Sequence, residues 1–387
     1  NEKIDTFMIL KKEIFCCLFT LCCVIPVWGQ QHKSVIPYRE VGNKMIIEML
    51  VDGETRPFIF DTGGQTAITG ELGKELGSQV RDSLVVTDIN GKQAIYPRVA
   101  IASLMTADRN VHLVNVPAML LGEPSPFECF GADGLIGSDL LQHFIVEIDG
   151  KSKTITLMTA ENPSTVSLRK MLPFAVDGVM PILTLQAGLK NNFLALFDTG
   201  CPNFLSLKKN DYEVLEEQVA FQEIATGLGG SFIGIAGMTE GDTLHRVEFP
   251  VLSVGGTRFN HVGSETSAAP YSLLGVKLLN YGKVTIDYPR RRFYFEAYES
   301  QNDLKDKYHV LGLQIKDGDL IVASVWDEMK DVVTVGDRVT RINGKPVKKY
   351  DFCESIVNGV PELKEKKKTK LTIQTKNGEK VIIYEKK

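Results

Sequence analysis

The tripeptide Asp-Thr-Gly stands twice in this chain, at Asp61-Thr62-Gly63 and at Asp198-Thr199-Gly200. Each copy closes an apolar run, Phe58-Ile59-Phe60 in the first and Leu194-Ala195-Leu196-Phe197 in the second. A lone Asp-Thr-Gly reads as a turn, because Asp and Gly are common turn residues. Two copies in the same local context suggest a pair of carboxylates delivered to one place. Two such groups a few ångströms apart cannot both ionise cheaply, so their pKa values separate and the pair keeps one proton near neutral or mildly acidic pH. The ionised Asp can then take a proton from a bound water while the protonated one polarises a carbonyl. Such hydrolysis requires neither a covalent intermediate nor a metal. Thr62 and Thr199 can hydrogen-bond across to the opposite loop, and Gly63 and Gly200 remove the Cβ atoms that would keep the carboxylates apart.

The elements that must position these loops come in two copies. Asp61 and Asp198 are 137 residues apart. Gly134-Leu135-Ile136-Gly137-Ser138-Asp139-Leu140-Leu141 is echoed by Leu273-Leu274-Gly275-Val276-Lys277-Leu278-Leu279, with 138 residues from Gly137 to Gly275. Val146-Glu147-Ile148-Asp149 matches Val284-Thr285-Ile286-Asp287 at the same interval of 138. Three anchors in one register describe a duplicated unit. Both copies are rich in β-like runs separated by turn pairs such as Asp52-Gly53 and Asp149-Gly150. Helices are expected only near Gly70–Leu76 and Lys208–Gln218 and in short turns after Gly137 and Gly275. A polar linker from Ser300 to Tyr308 precedes a third unit with a helix expected near Asp351–Val357 and strands at Leu371–Gln374 and Val381–Tyr384.

The 387 residues are 43% apolar and 24% charged, ordinary for a globular chain, and the net charge of −4 argues against nucleic acid as a partner. Residues 301–387 hold 18 Lys and Arg against 14 Asp and Glu, while residues 30–300 hold 23 against 31, so a mildly basic unit follows an acidic body. At the N-terminus Lys11 and Lys12 precede an apolar stretch from Ile14 to Val27. This reads as an export signal cleaved near Gly29/Gln30, too short to leave a stable membrane span. Four of the seven cysteines lie in that segment. The rest, Cys129, Cys201 and Cys353, are odd in number and lack disulfide-scaffold spacing, so the chain is expected to be held by its cores rather than by bridges. Cys201 reads either as a reactive thiol or as a buried, inert side chain.

With these motifs the chain resembles the retropepsin/pepsin superfamily of aspartic proteases, in particular the bacterial two-lobed retropepsin-like group, over about residues 35–298. The carrying motifs are apolar-apolar-Asp-Thr-Gly and the later apolar-apolar-Gly, here Leu135-Ile136-Gly137 and Leu273-Leu274-Gly275. The resemblance implies Asp61 and Asp198 as the catalytic pair, braced by Thr62, Gly63, Thr199 and Gly200. It also implies hairpin flaps over the substrate about 25–30 residues after each Asp, at Asn90 and Gly91 and at Gly229 and Gly230. The chain departs from pepsins at Gly64 and Cys201, where a Ser or Thr hydroxyl usually bonds the catalytic carboxylate. The C-terminal unit resembles a PDZ domain of the bacterial protease type. Leu311-Gly312-Leu313 matches the carboxylate-binding loop, and Gly336-Asp337-Arg338-Val339-Thr340-Arg341-Ile342-Asn343-Gly344 matches a second family run. Such a loop captures a chain terminus while the peptide adds a strand beside the sheet.

The expected architecture is therefore mostly β. It comprises two duplicated retropepsin-like β-barrel lobes, 35–165 and 170–298, in a pepsin-like bilobal arrangement. A small α+β PDZ domain, 309–387, follows them, and a signal peptide, 1–29, precedes them. The expected activity is an exported, periplasmic or secreted, aspartic endopeptidase that uses no cofactor and no metal. Its partners would be a peptide or protein substrate and a C-terminal peptide at the PDZ domain. The alternative is a catalytically silent protein that binds peptides in the inter-lobe cleft and at the PDZ domain.

Overall fold

Alternating burial builds the outer strands. In Lys33–Val41 the side chains of Ser34, Ile36 and Tyr38 face inward, and Lys33, Val35 and Pro37 face outward. The strands that lead to the two Asp-Thr-Gly loops behave differently. Phe58, Ile59 and Phe60 are all buried, as are Ala195, Leu196 and Phe197, so both faces of these strands are covered. The computed structural model describes residues 32–87, 92–159, 166–229, 242–364 and 368–386, and the segment read as an export signal lies outside them. The protein is mostly β. No helix among the described residues is long and apolar enough to cross a membrane.

One circuit of strand pairings is run twice. In the first copy Lys44–Val51 pairs with Glu54–Asp61, Gln93–Thr106 pairs with His112–Leu120, and Glu54–Asp61 runs parallel to Gly134–Gly137. In the second copy Met180–Ala187 pairs with Asn191–Asp198, Asp242–Val254 pairs with Thr257–Ser267, and Asn191–Asp198 runs parallel to Ser272–Gly275. The expected helices are present as Gly70–Glu75, Lys209–Glu217 and Ser138–Leu141, with a 3-10 turn at Val276–Asn280. Thr69 starts the first of them, its hydroxyl accepting from Leu72 N–H at 3.3 Å.

A six-stranded antiparallel sheet joins the two copies. Its order is Lys33–Val41, Thr154–Met158, Ile145–Asp149, Gly282–Asp287, Arg292–Ala297 and Met171–Asp177. The order reads symmetrically from the centre, where Ile148 lies opposite Val284 and Val146 opposite Ile286. One continuous apolar core runs beneath it, from Ile36 and Phe60 through Val146 and Ile286 to Phe197 and Phe293. Burial of each such side chain is worth about 1.5–3 kcal/mol.

The C-terminal unit has its own core, built on Leu311, Leu320, Val322, Val339, Leu371 and Ile373. Its helix Phe352–Asn358 is capped by Asp351, whose carboxylate accepts from Glu354 N–H at 2.8 Å. Two attachments tie this unit to the body. The strand Asp319–Trp326 pairs with Gln222–Gly229, Trp326 opposite Gly227 and Ser324 opposite Gly229, and the Asp327 carboxylate accepts from the Thr226 N–H at 2.8 Å and hydroxyl at 2.7 Å. The Arg246 guanidinium lies 3.9 Å from the Trp326 ring and 4.4 Å from the Tyr308 ring while pairing with Glu265 at 2.6 Å.

The second attachment corrects the expectation that cores alone hold the chain. Cys129, in the turn Glu128–Phe130, is joined to Cys353 by a disulfide between residues 224 apart. Short-range spacing rules find disulfide frameworks within small domains and are blind to one bond between two units. The linker is also more ordered than its polarity suggests, because Gln301–Asp303 adds a parallel strand beside Arg258, Phe259 and Asn260. A Cys353→Ser variant is expected to lose about 2–4 kcal/mol of stability. The check is thermal unfolding with and without reductant, in which reduced parent and variant should melt together.

Candidate active site

Each Asp-Thr-Gly loop is built by strand pairing. Asp61 ends Glu54–Asp61 opposite Gly137, and Asp198 ends Asn191–Asp198 opposite Gly275. Beyond each loop the chain returns antiparallel to the same short strand, Ala67 opposite Leu135 and Leu205 opposite Leu274. The apolar-apolar-Gly strand thus lies against both arms of the loop. A Cβ at Gly137 would come within 2.5 Å of the Gly64 carbonyl oxygen, and one at Gly275 within 2.6 Å of the Cys201 carbonyl oxygen. Only glycine lets the loop pass so close.

The two loops are interlocked by their threonines, both fully buried. Thr62 Oγ1 donates to the Phe197 carbonyl at 2.7 Å and accepts from Thr199 N–H at 3.1 Å. Thr199 Oγ1 donates to the Phe60 carbonyl at 3.1 Å and accepts from Thr62 N–H at 3.0 Å. Each hydroxyl is satisfied only by the opposite copy, so neither loop has its final shape alone. Gly63 and Gly200 then allow the carboxyl groups to meet. A Cβ at Gly63 would lie 2.5 Å from Asp198 Oδ1, and one at Gly200 would lie 2.7 Å from Asp61 Cγ.

The two carboxyl groups are close neighbours, each packed against the glycine of the opposite loop. Burial, followed by the Asp61 charge, pushes the Asp198 carboxyl well above the usual carboxylate range. Lys44 and the Gly200 N–H pull the other way. Asp198 Oδ1 accepts from Gly200 N–H at 2.7 Å and from Cys201 N–H at 3.2 Å, and Asp61 Oδ1 accepts from Gly63 N–H at 2.9 Å. A Cβ at Gly64 would stand 3.3 Å from Asp61 Oδ2, so this chain leaves empty the position from which a side-chain hydroxyl would reach that carboxylate. Cys201 is fully buried and its thiol is pushed up to about 12, chiefly by burial, which favours the inert reading.

Three residues join the site that sequence reasoning did not single out. Ser138 Oγ donates to the Thr62 carbonyl at 2.7 Å and lies 2.8 Å from the Tyr288 hydroxyl, which belongs to the second copy. Lys44 Nζ donates to the Gly200 carbonyl at 2.5 Å. Ser138 and Tyr288 do carry a sequence signal, since they directly follow the Leu135-Ile136-Gly137 and Thr285-Ile286-Asp287 anchors. Lys44 has only its place as a charge at the head of an apolar strand.

The other expected sites fall apart from the dyad or outside view. Asn90, Gly91 and Gly230 lie outside the described residues. Gly229 is opposite Ser324 of the C-terminal unit, where a Cβ would run into the Ala323 carbonyl. Leu311 is buried in the C-terminal core, and Gly312 packs so closely on Ser324 that a Cβ would meet its hydroxyl. Leu313 lines a groove of about 600 Å³, with Ile315 on its strand and Phe352 and Ile356 on the helix. Among the described residues, Leu311–Lys316 pairs only with Asp319–Trp326, which leaves its other edge without a strand partner there. No group of three or more His, Cys, Asp or Glu among the described residues is placed to hold a metal ion.

No family model and no curated protein matches this chain. Among solved structures, it is similar to the crystal structure of a retropepsin-like aspartic protease from Rickettsia conorii. The identity is 19% and the TM-score 0.25, over 34% of this chain and 92% of that one.

The raised Asp198 pKa has a consequence for stability. On raising the pH, the unfolded chain gives up this proton first, near the ordinary value of about 4, so the native state binds more protons and stability falls until the native pKa is passed. An Asp198→Asn variant has nothing to ionise there. Its stability relative to the parent is expected to rise from about pH 4 upward and then level off, as measured by denaturant unfolding across a pH series.

Proposed function

We propose that this chain is an aspartic endopeptidase in which Asp61 and Asp198 together activate a water molecule. The observation that supports the reading best is the mutual threonine lock, which brings the two Asp-Thr-Gly loops face to face, where burial and the neighbouring Asp61 raise the Asp198 pKa. With a proton on Asp198, its carboxyl polarises the scissile carbonyl and Asp61 serves as general base toward the water. The proton taken from water passes to the departing amine as the tetrahedral species collapses, and the dyad returns to its starting state.

The C-terminal unit is read as a PDZ-like module that recruits or regulates substrate. An edge of Leu311–Lys316 that is unpaired among the described residues, in a strand that lines the groove, suits a peptide that adds as a strand. Export is the reading for localisation, with a signal cleaved near Gly29/Gln30. The Cys129–Cys353 disulfide agrees with an oxidising compartment. Asn90 and Gly91, and Gly230 with the residues after it, are read as the flaps over the substrate.

The test is cleavage of a mixed peptide library between about pH 3 and 8, near and above the carboxylate range, by the parent, Asp61→Asn and Asp198→Asn. Both variants are expected to lose about a thousandfold or more in rate. Cleavage surviving both substitutions removes the dyad assignment, and peptide binding without cleavage by the parent favours the silent binding protein. For the groove, peptides with a free C-terminus are expected to bind about tenfold or more tightly than their amides, as measured by titration calorimetry. Equal affinities would remove the carboxylate-binding role.

A further inference from the structure

The first copy carries a charge at a hairpin position where the second has none. Val41 lies opposite Lys44 in the first hairpin, and Asp177 lies opposite Met180 in the second. Met180 packs against a small apolar cluster of Leu196, Cys201, Ala269 and Leu273. Lys44 is half-buried and crosses to the other copy's loop, where its ammonium donates to the Gly200 carbonyl.

That carbonyl belongs to the peptide group joining Gly200 to Cys201. The same peptide's N–H donates to Asp198 Oδ1 at 3.2 Å. A cation at the oxygen end of a peptide polarises it and strengthens the donor at the nitrogen end. The backbone of Lys44 is itself fixed, because Gly42 lies against the Phe130 ring and the backbone of Ile356 and Val357, beside the Cys129–Cys353 bond.

We infer that Lys44 is a positioning residue for the dyad, fixing and polarising the Gly200–Cys201 peptide toward Asp198 and standing in for the side-chain hydroxyl that Gly64 and Cys201 do not supply. The catalytic part of this role rests on the proposed function of Asp61 and Asp198. The charged and titratable groups around the Asp198 carboxyl are Asp61, Lys44 and the Cys201 thiol, which is neutral over the working range. On the far side, the Tyr288 hydroxyl lies beside Ser138 and feels the charges of Asp61 and Asp139. Lys44 is the cation in this set, and its field eases loss of the last proton from the pair.

Replacing Lys44 by Met or Gln is therefore expected to make the dyad hold that proton to higher pH. The alkaline limb of the pH–rate profile should move up by about one unit, and Lys44→Arg should restore it. A second readout does not need catalysis. In protein carrying 13C-labelled aspartate, NMR titration of the carboxyl carbons should show the last dissociation of the pair shifted upward in Lys44→Met and Lys44→Gln. Unchanged dissociation in both folded variants overturns the role of Lys44, even if Asp61 and Asp198 prove essential for cleavage. A shifted dissociation in a protein that cleaves no peptide upholds the role of Lys44 at the dyad and counts against the proposed activity.

Discussion

Two buried threonine hydroxyls, each satisfied only by backbone from the opposite copy, set the terms for the rest of the molecule. A hydroxyl deprived of water must find partners or cost about 1–3 kcal/mol, and here every partner lies across the junction. The junction must therefore be dry and accurately registered. The six-stranded sheet supplies the registration and the continuous core beneath it supplies the dryness. The glycines follow from the same demand, since loops brought this close leave no room for a Cβ between a carboxyl group and the facing backbone.

Duplication gives the site its symmetry, and substitutions within the copies take some of it away. Asp198 is the more buried carboxyl and accepts two backbone N–H bonds at one oxygen. Ser138 supports the first loop with help from Tyr288, while the second copy has Val276 at the matching position. Lys44 faces the second loop, and Met180 stands in its place on the other side. A proton shared by two chemically identical groups has no preferred seat, and these differences give it one.

Much of this was legible in the sequence because it is written in local pattern. The Asp-Thr-Gly pair, the apolar-apolar-Gly anchors and the 137- and 138-residue register locate strands, loops and the dyad together. The helices at Gly70–Glu75, Lys209–Glu217 and Phe352–Asn358 follow from periodicity and caps within one or two residues. What the sequence hid is long-range. The bond between Cys129 and Cys353, the reach of Lys44 to Gly200 and the pairing of Gln222–Gly229 with Asp319–Trp326 join segments with no shared pattern. Such contacts depend on how finished units dock, and a one-dimensional period carries no trace of that.

The C-terminal unit is fastened to the first copy by a covalent bond and to the second by a run of strand hydrogen bonds, and the two copies are joined by their common sheet. These three links close a mechanical ring. A hinge movement that swung the copies apart about their common sheet would have to break the disulfide or unzip one of the strand seams. The ring makes the body a fixed frame around the carboxyl pair.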